Sequence, residues 1–463
     1  MKVINPATGQ TIDELSEDDA SAVDAKVARA RAAQPAWAAT PLDERLAAVA
    51  RFRDALVARK EDLARLLTRE MGKPISQARN ELGAMPGRLD FFLRETAAVL
   101  AEQIVHREGT DGATPALEEV IAHEPLGVVA NVSAWNYPYF VGSNVFIPAL
   151  LTGNTVVYKP SELTTLTGLR IVDLLHEAGI PKDAVVAVVG GGAAGAALVR
   201  AAVDGVFFTG SYATGRRIGE ALAGRLVKLQ LELGGKDPTY VCDDVDVRAA
   251  AESLADGAMY NNGQSCCSVE RIYVHRDVYG PFLEAFQQVV RGFVVGDPED
   301  DRTYIGPLAR RDQIGVLLAQ VADAVAKGGR VLAGGAPAVG HGVGTNVFQP
   351  TVVADATNDM SLMRQESFGP VIGIAPVSSD EEAVRLMNDT EYGLTAGVYT
   401  KDRARARAVL ARVDAGSVYW NCCDRVSPRL PWTGRRHSGI GSTLSREGIR
   451  TFVQPKAWHF RRA

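Results

Sequence analysis

From residue 128 onward, short runs of β-branched and aromatic residues alternate with stretches of helical pattern, and this rhythm constrains the fold most strongly. Parallel strands need a crossover connection, usually a helix, so the alternation predicts βαβ units and parallel sheets covered on both faces. The first set of runs covers 128–133, 155–160, 185–190, 205–210 and 226–235, and the second covers 239–242, 271–275, 371–377, 394–400 and 416–420. A break at ELGGKDP (232–238) separates the two sets. We therefore expect an α/β protein with two doubly wound parallel-sheet domains.

The remainder of the chain carries other patterns. Residues 17–107 follow a helical period, and Thr40 followed by Pro41 is typical of the start of one of those helices. Residues 110–127 do not fit the βαβ rhythm and predict a projecting pair of strands, with a late strand at 450–458 as their partner. A chain of 463 residues also exceeds one ordinary core, which agrees with more than one domain.

Charge and targeting signals exclude several classes of partner. The formal net charge is −5 and no polybasic run occurs, so we expect neither nucleic acid nor an anionic membrane as partner. The N-terminal stretch MKVINPATGQ lacks the apolar core of a secretory signal, and no uncharged apolar run approaches the roughly 20 residues that span a bilayer. Four of the five cysteines form two adjacent pairs. Two neighbouring cysteines rarely form a disulfide with each other, because the small ring that the bond would close is strained. We therefore expect a cytoplasmic protein without a disulfide framework.

The stretch NNGQSCCSVER (261–271) contains one of these adjacent pairs, Cys266 and Cys267. A catalytic cysteine needs an accessible thiolate and donors for the developing oxyanion. The polar, flexible flank fits an exposed turn, although an inert cysteine packed in such a turn is the more common case. No CxxC or HxxxH pattern accompanies the pair, so we expect no metal site.

Two further polar residues lie near the ends of predicted strands. In LQLELGGK (229–236), alternation places Glu232 opposite the leucines at the carboxyl end of a buried strand, where α/β sheets bind ligands. Desolvation there raises the pKa of a carboxyl group toward that of a general base, and the alternative is a salt-bridged glutamate. Asn136, after the first strand, offers an amide donor for an oxyanion, or is an ordinary turn residue before a proline.

Two loops carry groups that fit a nucleotide. Lys159 and Glu162 follow a strand, where a lysine and an acid can hold ribose hydroxyls. The loop FTGSYATG (208–215), with Gly210 and Ser211, opens a helix whose N-terminal N–H groups can meet a pyrophosphate. Each loop is weak evidence alone, because solvated loops have the same composition.

Together, these segments resemble the aldehyde dehydrogenase superfamily in type, order and spacing over essentially the whole chain. The matching stretches are AWNYP, KPSE, FTGSYATG, LELGGK, GQSCCSVER, QESFGP, WNCCD and PWTGRRHSGIG. The resemblance implies Cys266 of the GQxC pattern as nucleophile, Glu232 as general base and Asn136 as oxyanion donor. It also implies cofactor contacts: Lys159 and Glu162 to the adenosine ribose, Gly210 and Ser211 to the pyrophosphate, and Glu366 to the nicotinamide ribose, with Trp135 and Phe368 packing nearby.

The family's architecture implies three parts for this chain. A Rossmann-like dinucleotide-binding domain is expected at 1–109 and 126–233, and a catalytic domain at 234–445. A small β oligomerisation element is expected at 110–125 and 446–463. The resemblance therefore implies a homodimer or homotetramer.

The substrate implied by the resemblance is a small-molecule aldehyde. By analogy, an entrance tunnel is lined by aromatic residues drawn from Tyr137, Tyr139, Phe140, Tyr260, Trp420 and Trp432, unless these side chains are core packing. Such a lining favours an apolar or aromatic aldehyde. Members that act on succinate semialdehyde often have an arginine where this chain has Asn144, and Arg425 and Arg429 are alternative anchors for a carboxylate. The chain also has Ser-Val-Glu at 268–270, where the family usually has small residues.

The expected cofactor is NAD, with NADP as the alternative. An acid at Glu162 bonds the ribose hydroxyls and repels a 2′-phosphate, which favours NAD. Lys159 beside it is compatible with NADP.

We therefore expect NAD(P)-dependent oxidation of an aldehyde to the acid through a thiohemiacetal and a thioester on Cys266, hydrolysed by water that Glu232 activates. One alternative is a succinate-semialdehyde-type dehydrogenase that uses Arg425 or Arg429. An alternative of another class is a catalytically idle relative that serves as a structural or binding protein. A strained, reversible disulfide between Cys266 and Cys267 is a further hypothesis.

Overall fold

The computed structural model describes residues 1–109, 114–338 and 346–462. Residues 110–113 and 463, which the predicted oligomerisation element includes, lie outside these ranges. The chain begins with a hairpin and a run of helices: β1 (Lys2–Ile4), β2 (Thr11–Glu14), α1 (Ala20–Ala39), α2 (Leu42–Ala58), α3 (Lys60–Met71) and α4 (Ile75–Leu100). The helical prediction for 17–107 is confirmed as far as Leu100 and is wrong beyond it, where a strand begins at Gln103.

Thr40 ends one helix instead of starting the next. Its N–H bonds to the carbonyls of Ala36 and Trp37, and its hydroxyl donates to the carbonyl of Ala36. Pro41 then stands just before α2, which has no side-chain cap at its start. The helix start predicted at Thr40 and Pro41 is therefore slightly early, because the threonine side chain is already engaged by α1.

A first group of strands and helices follows, and its members alternate regularly after two antiparallel strands. They are β3 (Gln103–Glu108), β4 (Leu117–Pro125), β5 (Val128–Val132), α5 (Pro138–Leu151), β6 (Thr155–Lys159), α6 (Thr165–Glu177), β7 (Val185–Ala187), α7 (Gly192–Arg200), β8 (Gly205–Thr209), α8 (Tyr212–Leu222) and β9 (Lys228–Glu232). Each predicted run of the first set forms one of the strands β5 to β9.

A second alternating group begins after ELGGKDP. It contains β10 (Pro238–Val241), α9 (Val247–Met259), a 3-10 turn (Tyr260–Gly263), β11 (Arg271–His275), α10 (Arg276–Arg291), α11 (Gln313–Ala326), β12 (Arg330–Ala333), β13 (Thr351–Ala354), α12 (Ser361–Arg364), β14 (Val371–Val377), α13 (Asp380–Asn388), β15 (Thr395–Tyr399), α14 (Arg403–Leu410) and β16 (Ser417–Trp420). The chain closes with a 3-10 turn (Arg436–Ser438), β17 (Gly439–Ile440), α15 (Ser445–Arg450) and β18 (Val453–Arg461). Each predicted run of the second set is likewise a strand.

The first large sheet has the strand order β17-β9-β8-β5-β6-β7 among the described residues. Its neighbours from β9 to β7 are parallel, and β17 is an antiparallel edge. Val128 and Ala130 of β5 pack into a core with Val27 of α1, whereas Val129 packs into a different core with Phe146 of α5. Alternate residues therefore serve two cores, one on each face, as a doubly wound sheet requires.

The second large sheet has the order β12-β13-β14-β11-β10-β15-β16 in the described part of the chain. It is parallel except for β12, an antiparallel edge. Tyr240 and Val241, adjacent on β10, again pack into different cores. The predicted doubly wound α/β fold is confirmed, with mixed edges in place of wholly parallel sheets.

A small antiparallel sheet has the order β18-β4-β3. The predicted late strand is confirmed as β18. The predicted pair within 110–127 is instead β3 with β4, so one of its strands lies at Gln103–Glu108, before the expected segment. The boundaries between the three parts remain predictions, and β17 joins the first sheet although its residues lie in the range expected for the second.

The order of the first sheet fixes where a ligand can bind. From β5 the chain proceeds outward through β6 to β7 and then returns to build β8 and β9 on the other side. Ligands of open α/β sheets bind at the carboxyl ends of strands where the order reverses, which here is between β5 and β8. None of the helices in the described ranges is long and apolar enough to cross a membrane.

Candidate active site

A cavity of about 770 Å³ opens at these carboxyl ends. Every residue that the sequence predicts for catalysis or cofactor binding lines it: Trp135, Asn136, Lys159, Glu162, Gly210, Ser211, Glu232, Cys266, Glu366 and Phe368. The first sheet, the nucleophile loop (261–267, which carries the predicted nucleophile Cys266) and the turn before β14 therefore contribute to one site.

Cys266 follows a tight reversal of the backbone. Asn261, Asn262 and Gly263 have φ angles of 54°, 59° and 70°, all left-handed. A Cβ at Gly263 would lie 2.2 Å from the carbonyl oxygen of Gly369, so this position requires glycine. The reversal delivers the partly accessible Cys266 to the cavity.

Cys267, the neighbouring thiol, is buried and engaged elsewhere. It is 4% exposed, and its Sγ donates to Oδ1 of Asp424 at 2.9 Å. Its contact with the Cys266 thiol and its burial raise the pKa of Cys267 well above the usual range. A thiolate is therefore disfavoured at Cys267, which leaves Cys266 as the candidate nucleophile. All five cysteines are free.

Asn136 is held beside the nucleophile loop. It is 3% exposed, and its Nδ2 donates to the carbonyl of Gln264, two residues before Cys266, at 3.1 Å. Its own carbonyl accepts from Nζ of Lys73 at 2.8 Å and from Nδ2 of Asn261 at 3.1 Å. These bonds hold the Asn136 amide beside the loop that carries Cys266, with its Nδ2 donor occupied by the Gln264 carbonyl.

Glu232 ends β9 and is 6% exposed. Its Oε1 accepts from Nε2 of Gln230 at 3.2 Å and from the Thr443 hydroxyl. Burial raises the pKa of Glu232 to about 7, against the opposing effects of the Thr443 and Gln230 hydrogen bonds and the Arg88 charge. A carboxyl group with this pKa can exchange a proton near neutral pH.

Lys159 ends β6, and Glu162 follows that strand, at one end of the cavity. Lys159 is 4% exposed, and its Nζ donates to the carbonyl of Pro160 at 3.1 Å and lies 3.8 Å from Oε2 of Glu162. Burial lowers the pKa of Lys159. A lysine and a half-exposed carboxylate so arranged can donate to and accept from a pair of ribose hydroxyls.

Ser211 caps the N-terminus of α8 at the cavity wall. Its Oγ accepts from the N–H of Thr214 at 3.3 Å, and Gly210 precedes it on the lining. The N-terminus of a helix attracts anions through its free N–H groups and its dipole. This terminus, together with the Lys159 and Glu162 pair, forms a donor set that fits a dinucleotide.

The turn that carries Glu366 and Phe368 closes the other end. The Glu366 carboxylate accepts from the N–H of Gly235 at 3.1 Å. Burial, and then the neighbouring Glu270 charge, raise the pKa of Glu366 to about 8. The Phe368 ring meets the Trp135 ring edge-on at 5.4 Å. Two predicted cofactor residues from distant segments therefore touch.

None of the residues predicted to contact the substrate lines this cavity among the described residues, and several lie close to it in the chain. The rings of Tyr137 and Phe140 stack 6.0 Å apart, next to Asn136 in the chain. Tyr260 begins the reversal before Cys266, and its hydroxyl accepts from Nδ2 of Asn80 at 3.2 Å. Their roles as substrate contacts remain predictions.

The other predicted substrate residues are placed differently. Trp432 is 5% exposed and belongs to the main core, and Tyr139 is buried with its hydroxyl bonded to the carbonyl of Leu63. Trp420, by contrast, is 39% exposed. Arg425 and Arg429 are both exposed.

Several buried charged residues near the site, Arg88 and Glu270 among them, were not predicted as functional residues from the sequence. Arg88 is 5% exposed, its guanidinium lies 4.3 Å from the centre of the Phe140 ring, and Nη1 donates to Oδ1 of Asn144 at 2.6 Å. The signal for Arg88 is its helical spacing from Met85 and Phe92, which places a charge on an apolar face. Glu270, at 268–270 where the family usually has small residues, is 3% exposed and follows the nucleophile loop.

Known proteins match this chain over nearly its full length. A profile of the aldehyde dehydrogenase family matches residues 1–458. The chain is 36% identical over 459 residues to a betaine aldehyde dehydrogenase of Cereibacter sphaeroides, covering 98% of this chain and 92% of that protein. It is 34% identical over 459 residues to the NADP(+) succinate-semialdehyde dehydrogenase of Deinococcus radiodurans, covering 98% and 93%. The crystal structure of PnpE from Pseudomonas sp. WBC-3 with nicotinamide adenine dinucleotide superposes with a TM-score of 0.95 at 35% identity, covering 100% and 94%.

Proposed function

The chain belongs to the aldehyde dehydrogenase family, and we propose that its Cys266, Asn136 and Glu232 carry the oxidation of an aldehyde to the carboxylic acid. The observation that carries this assignment is the meeting in one cavity of a thiol, an amide donor and a carboxyl group. The pKa of that carboxyl group, raised to about 7 by burial, suits a general base.

The first half of the reaction uses the thiol and the amide. The Cys266 thiolate adds to the aldehyde carbon, and the carbonyl electrons move to oxygen. Nδ2 of Asn136, released from the Gln264 carbonyl, and the N–H of Cys266 donate to this oxyanion. The dinucleotide, when bound, supplies the acceptor for the hydride. Loss of that hydride leaves the substrate as a thioester on Sγ of Cys266.

The second half uses the carboxylate. Glu232 takes a proton from water, the hydroxyl adds to the thioester carbon, and the Cys266 thiolate leaves with the bonding electrons. The carboxylic acid is released, the thiolate is restored, and Glu232 gives the proton to solvent, which regenerates its carboxylate. Glu232 must first leave its hydrogen bonds to Thr443 and Gln230, which hold it in the resting enzyme.

We propose NAD as the preferred cofactor, with NADP as the alternative. PnpE was crystallised with NAD, and the Deinococcus relative is an NADP(+) enzyme, so relatives include both. Glu162 supports NAD, since its carboxylate would repel a 2′-phosphate, while the adjacent Lys159 Nζ reduces that repulsion.

Glu162→Gln is expected to raise the ratio of kcat/KM for NADP to kcat/KM for NAD by about tenfold, because it removes the repulsive charge. Both parameters are measured as NADH or NADPH formation with one aldehyde. Glu220→Gln, at an exposed position of α8, is the matched control and should leave the ratio unchanged. An unchanged ratio in Glu162→Gln would remove Glu162 from cofactor selection.

We propose an apolar or aromatic aldehyde as substrate, on the strength of the Tyr137 and Phe140 stack beside Asn136. Arg88 favours a second candidate, an aldehyde that also carries a carboxylate. Its Nε has no hydrogen-bond partner among the described residues, and no carboxylate within those ranges lies in salt-bridge distance. Burial lowers the pKa of Arg88 to about 10, against the opposing charges of Glu232 and Glu81, and a substrate carboxylate would give its Nε a direct partner.

An aldehyde panel with each cofactor tests the proposed function. We expect NADH formation with benzaldehyde and hexanal at higher kcat/KM than with succinate semialdehyde or betaine aldehyde. A preference for succinate semialdehyde would instead support the second candidate, an aldehyde whose carboxylate binds Arg88. If the protein binds NAD but forms no NADH with any aldehyde of the panel, the proposed enzymatic activity would be contradicted. That result would favour the alternative of a catalytically idle relative that serves as a structural or binding protein.

We propose further that the protein forms a homodimer or homotetramer through its small antiparallel sheet. Ile104, Trp458 and Phe460 expose 49%, 37% and 50% of their surface on the outer strands β3 and β18. Exposed apolar side chains on edge strands, whose outer backbone groups have no partner strand, are typical of an interface. The free cysteines agree with a reducing compartment, and we propose the cytoplasm.

A further inference from the structure

A buried salt bridge lies directly behind the nucleophile loop. Glu270, four residues after Cys266, is 3% exposed, and Lys236 is completely buried. Nζ of Lys236 lies 2.5 Å from Oε2 of Glu270. The reaction described above uses neither side chain, although burying two charges is costly.

Glu270 also binds the turn that carries the nicotinamide-ribose candidate. The N–H of Ser367 lies 3.2 and 3.1 Å from the two carboxylate oxygens, and the N–H of Phe368 donates to Oε1 at 3.2 Å. Nζ of Lys236 contacts Oγ of Ser367 at 3.0 Å. Phe368 has a left-handed φ of 47°, which a side chain other than glycine adopts only when its surroundings hold it. The hydrogen bonds to Glu270 stabilise this backbone conformation.

The same turn is fixed from its other side. Glu366, just before Ser367, accepts from the N–H of Gly235, and a Cβ at Gly234 would lie 2.4 Å from its carboxylate. The segment between Glu232 and Lys236 therefore contacts the carboxylate of Glu366, and Glu270 binds the backbone of the two residues that follow Glu366.

We propose that Glu270 is a positioning residue that orients Glu366 toward the nicotinamide ribose. It also links the turn that carries Glu366 to the loop that carries Cys266. The inference rests on the proposed function of Cys266 and Glu366. This role explains why an acid stands at Glu270. Only a carboxylate can accept hydrogen bonds from two adjacent N–H groups and from a lysine at once. Its effect falls on hydride transfer, which depends on the placement of the nicotinamide, and not on the thiol itself.

Glu270→Gln tests this role, since the amide keeps the shape but loses charge and one acceptor. We expect kcat for aldehyde oxidation to fall by about 10- to 100-fold and KM for NAD to rise several-fold. We also expect a larger deuterium isotope effect with an aldehyde labelled at the transferred hydrogen. Hydrolysis of 4-nitrophenyl acetate, which requires the Cys266 thiolate but no cofactor, should stay within about twofold of wild type.

Glu270→Gln combined with Lys236→Met separates positioning from stability. The second change removes the buried cation that the first leaves unpaired, so the double variant should recover thermal stability while keeping the altered isotope effect. Equal losses of ester hydrolysis and oxidation, with an unchanged isotope effect, would overturn the inference. So would normal oxidation by Glu270→Gln. A wild-type protein that hydrolyses the ester but forms no NADH would overturn the proposed function, and the inference with it.

Discussion

Cys266→Ser is expected to lower the rate of aldehyde oxidation by about 10⁴-fold or more, because a serine hydroxyl is far less acidic than a thiol and seldom forms the attacking anion. Cys266 lines the cavity with Asn136 and Glu232 and is partly accessible. The loss should appear in NADH formation and equally in cofactor-free hydrolysis of 4-nitrophenyl acetate. NAD binding, measured by quenching of tryptophan fluorescence, should be retained.

Cys267→Ser is the matched control, one residue further along the chain. Its thiol is 4% exposed and donates to Oδ1 of Asp424, and a serine hydroxyl can make the same bond. Activity should therefore remain within a few-fold of wild type. If Cys267→Ser were inactive and Cys266→Ser active, the assignment of the nucleophile by the GQxC register would be wrong.

The sequence predicted the framework of the site because its signals are local. Each strand of the first sheet from β5 to β9 coincides with a β-branched run, and parallel strands end at one edge. Asn136, Lys159 and Glu232 follow or end such runs, so topology alone brings them to the same edge.

The supporting contacts could not be predicted in this way, because they join segments far apart in the chain. Glu270 meets Ser367 across 97 residues, and Arg88 meets Asn144 across 56. No spacing rule links such pairs. The strand β3 was missed for a different reason. All six of its residues are exposed, so no alternation of buried and exposed positions marks it in QIVHRE (103–108).

Glu232→Gln is expected to stop the enzyme after one turnover. The amide cannot take a proton from water, so the thioester on Cys266 should accumulate while hydride transfer proceeds. Rapid-mixing absorbance should show a burst of about one NADH per site, followed by steady turnover about 10³-fold slower than wild type. Mass spectrometry of the quenched protein should find the acyl group on Cys266. A slow first turnover without a burst would place Glu232 before the thioester and contradict its role in hydrolysis.

The pH dependence of hydrolysis separates this role from a purely structural one. Burial raises the pKa of Glu232 to about 7, and only the ionised carboxylate accepts a proton from water. The wild-type rate of thioester hydrolysis should therefore rise with pH until the pH passes about 7 and then level off. Thr443→Val removes a hydrogen bond that lowers this pKa, so the rise should move to higher pH while the burst is retained. Glu232→Gln has no group to titrate and should lose the rise altogether. A rise at the same pH in all three proteins would assign the base to another group.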